Sequence, residues 1–328
     1  MNLICFDLEG PLSPLDNAYE LMKLFPRGDV IFPTISRYDD LLTLEGREDY
    51  EPGDTLALIM PFLAYHGISE EIITGMGKES ELTPGAAELI AWLHSRRWRT
   101  FCISTSYEQY AMAITRRLGI SRDNVACTYF PLDTIRQELK RTDFALLERA
   151  EEEIVNLASA DDNRLMKKLD HFYLEELPQT SAGKIIRTIK PTGGQRKVEA
   201  LQRFAAETGK PLSAWAVVGD SITDFKMLRA VNRVGGLAIA FNANEYVLSY
   251  ATMGLASTRL DDLWPALQAL ETGRLEAVEE AVKEKEEKGG RGNRENFHWL
   301  KNSKDISRPL QIHRTIRQLV RKDAAHLG

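Results

Sequence analysis

The sequence predicts an α/β protein with a Rossmann-like, doubly wound and mostly parallel sheet, two mainly helical insertions and a charged helical C-terminal tail. Three observations predict it. Short apolar runs of strand length recur at 2–6, 99–103, 214–219 and 235–241. Runs of this kind, rich in Val, Ile, Phe and Cys, read as strands buried on both faces. Helical patterns lie between them, and strand–helix alternation implies a parallel sheet covered on both sides. Two long segments interrupt the alternation and are too long to be ordinary loops.

Taken in order, NLICF (2–6) is a strand that ends in Asp7, Leu8, Glu9 and a Gly-Pro turn. Residues 13 to about 81 read as helices and loops punctuated by Pro14, Pro26, Pro33, Pro52 and Pro61. A helix is expected over Pro84–Arg96, with Thr83 as its N-cap and Pro84 at its first position. RTFCI (99–103) is a second strand, followed by Ser104, Thr105, Ser106 and a helix over Ser106–Leu118. Residues 129 to about 189 are charged and helical, as in 136–158. A helix over Gln195–Glu207 contains Lys197, and the strand after it, AWAVVG, runs into Asp220-Ser221-Ile222-Thr223-Asp224. The tail, 271–328, holds 13 Lys/Arg and 10 Asp/Glu, which makes it +3 against −9 for the rest of a chain whose net charge is −6. A charge run of this sort reads first as a solvated helix packing at the domain edge, and second as an interaction arm.

Composition excludes several classes. Hydrophobic content of 43% and charged content of 27% are those of a globular protein with an ample core. An acidic balance argues against nucleic acid as the main partner. Three cysteines without a C-x-x-C pair fit a reducing cytosol rather than a disulfide framework, so a cytoplasmic protein is expected. Asp7 and Glu9 interrupt any secretory apolar region, and no run of about 18 apolar residues would span a membrane. The histidines show no metal-ligand spacing, and His66, His94 and His171 read as ordinary surface or boundary residues. Cys5 and Cys102 fall inside strands and read as small core residues.

The chemistry gathers where the strands end. In an open parallel sheet those ends form one edge, where ligands bind. Asp7, Asp220 and Asp224 brought together there would repel one another unless a divalent cation or raised pKa values intervened. Hard oxygen ligands of this type suit Mg²⁺, which bridges to phosphate. Ser104 and Thr105, with the backbone N–H groups beside them, can hold phosphoryl oxygens, and Lys197 adds a point charge. Asp7 is then placed to attack phosphorus, and Glu9 to protonate the leaving oxygen and later deprotonate water. Blander readings exist for each. Asp7 and Glu9 suit a capping turn, Ser104–Ser106 suit the cap of the next helix, Asp224 suits a helix first turn, and Lys190 or Arg196 could stand in for Lys197.

These residues resemble the four motifs of the haloacid dehalogenase-like (HAD) superfamily of phosphohydrolases and phosphotransferases. The motifs are a strand-end D-x-D, a strand-end Ser/Thr, a Lys and a G-D-x-x-x-D, matched in order by Asp7/Glu9, Ser104, Lys197 and Asp220/Asp224. "VVGDSITDFKML" and "GLAIAFNANEYVLSYA" are similar to the phosphoserine-phosphatase-like branch. The resemblance implies a catalytic core of 1–12, 82–128 and 190–270, cap insertions at 13–81 and 129–189, and a metal held by Asp7, Asp220, Asp224 and the Glu9 backbone carbonyl. It further implies a small phosphorylated substrate handled through an aspartyl-phosphate. "FDLEGPLSPLDNAYE" and "STSYEQYA" also resemble an archaeal group known as subunit R of energy-converting hydrogenase A. That likeness carries the alternative of an accessory subunit, docking on a protein partner through 136–158 or the 271–328 tail. Glu9 and Pro11 depart from the superfamily's commonest form, which has Asp and Thr at those positions. Glu keeps a proton-carrying carboxylate one methylene longer, and Pro11 removes an N–H and stiffens the turn.

Overall fold

The computed structural model describes residues 2–272, 275–288 and 295–326. Its centre is a seven-stranded sheet in the order β3-β2-β1-β4-β5-β6-β7. The strands are β1 (Leu3–Phe6), β2 (Arg99–Tyr107), β3 (Val125–Thr128), β4 (Trp215–Gly219), β5 (Leu237–Phe241), β6 (Met253–Ser257) and β7 (Glu295–Trp299). All neighbours pair in parallel except β6 and β7, which run antiparallel. The four expected strands are present, and the middle ones are buried along their whole length, as unbroken apolar runs require. The strand pattern of the sequence does not predict β3, β6 and β7. Their sequences, VACT, MGLAS and ENFHW, are short or interrupted by small and polar residues and show no clear period.

The first insertion comprises α1 (Asn17–Met22), α2 (Gly28–Glu45), α3 (Thr55–Leu58), α4 (Met60–Tyr65) and α5 (Glu70–Glu79). Core helices α6 (Ala86–Ser95) and α7 (Glu108–Arg117) follow on either side of β2. Both start two residues later than expected. Gly85, at φ 81°, occupies the N-cap of α6, while the Thr83 hydroxyl donates instead to Gly10 O at 3.0 Å. Strand β2 continues through Tyr107, so Ser104–Ser106 belong to the sheet edge rather than to a helix cap.

The second insertion holds α8 (Leu132–Glu138), α9 (Arg141–Leu157), α10 (Asp162–Asp170) and α11 (Ser181–Ile186). The charged stretch 136–158 is helical in two pieces, the end of α8 and α9. One side of it is turned inward. Leu147, Ile154 and Leu157 of α9 are buried in the same apolar cluster as Ile31, Ile35 and Leu42 of α2, leaving only the charged side outside. Polar ties fasten the two insertions into one body. Tyr38 and Arg47 both donate to Asp170 at 2.6 Å, and His66 lies 2.6 Å from Glu151. The apolar sides of the two insertions thus face each other, which two independent lids would leave exposed.

The remainder is α12 (Gln195–Thr208), α13 (Phe225–Arg233), α14 (Glu245–Leu248), α15 (Trp264–Leu270), α16 (Leu275–Lys288) and α17 (Ser307–Arg321). The tail packs at the edge of the fold, and more closely than a solvated helix would, because β7 extends the sheet and α17 packs back across β6. Gly289 and Gly290, at which the sequence would break the tail's charged helix, lie outside the described residues. Among the described residues no single helix is long and apolar enough to cross a membrane.

Candidate active site

β1 is the middle of the paired strands that carry the site. Asp7 continues its ladder, donating its N–H to Val218 O at 2.8 Å. The chain then turns sharply, with Gly10 at φ 95°, and Ser13 forms a bridge with Glu9. Gly10 is required twice over. Its φ favours glycine, and a Cβ there would stand 2.5 Å from Asp220 Cγ. The close approach of the two turns brings the ends of β1 and β4 together.

Asp7, Asp220 and Asp224 are all buried, and one carboxylate oxygen from each lies within 4.8 Å of the others. Lys197, fully buried in the first turn of α12, donates to Asp7 Oδ1 at 2.9 Å and to Asp224 Oδ1 at 2.7 Å. The neighbouring candidates are occupied elsewhere or lie outside this cluster, Arg196 being paired with Asp54. Asp224 Oδ2 accepts the N–H groups of Asp220 (2.9 Å) and Ser221 (3.2 Å), which fixes the β4 turn. Burial, with Asp224 adding, pushes the Asp7 carboxyl well above the usual range against the pull of Lys197. The same burial works against the charge on Lys197, yet Asp224 and Asp7 together raise its pKa.

Glu9 takes Ser106 Oγ at 2.6 Å and Asn17 N at 2.9 Å on the same oxygen. Burial and the nearby Asp16 outweigh these donors and push its carboxyl up to about 7. Of the β2 hydroxyls, Thr105 lines the cavity and donates to Thr192 O at 3.1 Å. Ser104 is fully buried, and its oxygen accepts Ser106 N at 3.0 Å. Asp16, Ser106, Arg317 and Arg321 escape the sequence reading as site residues. Asp16 looks like the N-cap of α1, which it also is. His313, Arg317 and Arg321 share one helical face by their four-residue spacing, a signal that charge counting hides.

A small cavity of about 60 Å³ opens beside this cluster, with Asp7 lining it. Asp7, Glu9, Thr105 and Ser221–Thr223 form its floor, and Phe32, Ser36, Asp39, Thr55 and Leu56 of the first insertion form its roof. The roof is tied down where Tyr107 donates to Leu56 O at 2.7 Å and Lys226 pairs with Glu51 at 2.7 Å. A divalent cation fits the donor set. Asp220 Oδ1 is buried and has no hydrogen-bond partner among the described residues, and hard carboxylate oxygens converge beside it.

No family model matches the chain. A gene product of Archaeoglobus fulgidus of known structure superposes with a TM-score of 0.85 at 29% identity, over 100% of this chain and 99% of that one. A phosphoserine phosphatase in its apo form aligns with a TM-score of 0.50 at 16% identity, over 80% of this chain and 97% of its own. The chain has the HAD-like fold. In sequence, the chain is 26% identical over 181 residues to a phosphoserine phosphatase of Streptomyces coelicolor. That alignment takes in 55% of the chain and spans 32% of the relative's length. Within the HAD-like frame, Asp7 and Glu9 follow β1, Ser104 lies near the end of β2, Lys197 opens α12, and Asp220 and Asp224 follow β4.

Proposed function

We propose that the protein is a Mg²⁺-dependent phosphatase or phosphotransferase acting on a small phosphorylated metabolite through an aspartyl-phosphate on Asp7. The observation that carries this reading is the placement of Asp7 on the cavity floor, 2.9 Å from Lys197 and beside Asp220 and Asp224. The curated relative is a phosphoserine phosphatase, which supports the same class of reaction.

An oxygen of Asp7 attacks phosphorus while the bond to the leaving oxygen breaks. Glu9, with its carboxyl pushed up to about 7, gives that oxygen a proton. In the second half Glu9 takes a proton from water, whose oxygen attacks phosphorus and releases Asp7. Lys197, Thr105 and the N–H groups beside them hold the phosphoryl oxygens, while Ser104, expected to share this task, is buried behind them and accepts Ser106 N. Asp7, Asp220 and the Glu9 carbonyl would hold Mg²⁺, with Asp224 ordering its water shell. The ion supplies charge neutralisation to the phosphoryl group and to the attacking carboxylate. The roof excludes bulk water while the phosphoryl group is in transit.

The test is phosphate release with Mg²⁺ from an aryl phosphate and from a panel of small phosphate monoesters, using wild type and Asp7→Asn. Wild type turns over the aryl phosphate, and the variant does not. Equal activity in the two would overturn the assignment of Asp7.

A further inference from the structure

The inward face of α17 is polar. Its buried residues are His313, Arg317 and Arg321, stacked along one side of the helix. Arg317 is 2% and Arg321 5% exposed, and a buried guanidinium is costly unless paired. Both converge on one atom. Arg317 Nη1 bonds to Asp220 Oδ2, and Arg321 Nη1 lies 2.8 Å from the same oxygen. Each Nε is tied to backbone, that of Arg317 to Ala325 O at 2.8 Å and that of Arg321 to Pro14 O at 3.2 Å. The helix itself is anchored, since His313 Nδ1 accepts Ala243 N at 2.9 Å. Lys197 bridges Asp7 and Asp224, so the charge of Asp220 is met from α17 instead.

We propose that Arg317 and Arg321 are internal counter-cations of the carboxylate centre: they hold Asp220 by Oδ2, leave Oδ1 for a divalent ion, and weaken that ion's binding through their charge. This rests on the reading of the centre as a Mg²⁺ site. Two guanidiniums on the far oxygen draw negative charge away from the near one and repel an incoming dication. Without the ion, the same pair lets three buried carboxylates coexist in a folded chain. Arg317 and Arg321 are thus positioning residues, and the C-terminal helix sets the Mg²⁺ concentration at which the centre fills.

The test is calorimetric titration of Mg²⁺ into the full chain, with melting temperatures measured with and without the ion. Arg317→Gln and Arg321→Gln are made singly, because each leaves one guanidinium on Asp220. Each is expected to bind Mg²⁺ about tenfold more tightly than wild type. Each also melts lower than wild type without the ion and recovers in saturating Mg²⁺. Arg314→Gln, on the exposed side of the same helix where Arg314 pairs with Glu245, keeps wild-type affinity. Arg321→Lys retains the charge and stays within about threefold of wild type. A merely structural role lowers the melting temperature equally with and without Mg²⁺. Unmoved or weaker affinity in both Gln variants overturns the proposal, as does a tenfold shift in Arg321→Lys. A wild type that binds no Mg²⁺, or an Asp220→Asn variant that binds it equally well, overturns the reading of the centre itself.

Discussion

Ser106 donates its hydroxyl to Glu9 Oε1 across 2.6 Å, linking the edge of β2 to the turn after β1. The bond favours the carboxylate form, while burial and Asp16 favour the acid, and the balance lies at about 7. Glu9 must carry its proton to serve the leaving group, so kcat/KM falls as pH rises through that value. Ser106→Ala removes a donor to the charged form and moves this limb upward by about one pH unit. A pH–rate profile on an aryl phosphate measures the shift. An unmoved limb would separate Glu9 from the proton transfer.

His313 gives stability a pH dependence of the opposite kind. Burial, with His298 adding, pushes its imidazole down to about 3, so it stays neutral in the native chain. The unfolded chain regains the ordinary value near 6.5 and takes up a proton as pH falls below it. Stability therefore declines from about pH 7 downward, by about 2 kcal/mol between pH 7 and pH 5 from this group. Urea unfolding at both pH values reads it. His313→Asn keeps an acceptor for Ala243 N–H and removes most of the slope; an undiminished slope would place its origin in other groups.

Gly10 bears both on folding and on the site. Its φ is 95°, and a methyl group added at its Cα would stand 2.5 Å from Asp220 Cγ. Gly10→Ala is therefore expected to cost roughly 2–3 kcal/mol. The Asp220 side chain must also move, so Mg²⁺ affinity falls together with the melting temperature. Thermal melting and Mg²⁺ titration of the variant check both. Wild-type values in each would show that the turn can relax without disturbing Asp220.

Much of the site was legible because its chemistry is local to strand ends. NLICF, RTFCI and AWAVVG declare themselves by apolar composition, and the residues after each are carried to one edge by parallel pairing. Lys197 was legible by its position at the start of a helix, and Arg196, a possible stand-in in the sequence, is set aside by its pairing with Asp54. Ser104 and Thr105 read alike in the sequence. Their alternation along β2 decides which one reaches the cavity, because successive side chains point to opposite faces.

The sequence by itself determined the α/β class, the four strands of clearest composition and the acids that follow them, since burial on both faces and strand-end position are properties of short segments. Only the tertiary structure decided that the two insertions pack as one body and that the tail belongs to the sheet. It alone showed that Arg317 and Arg321 meet Asp220, about a hundred residues away along the chain. The physical reason is that a charge run looks solvated until a partner is found for it. A buried guanidinium is explained by the carboxylate it meets, and that meeting depends on how β7 and α17 return across the sheet.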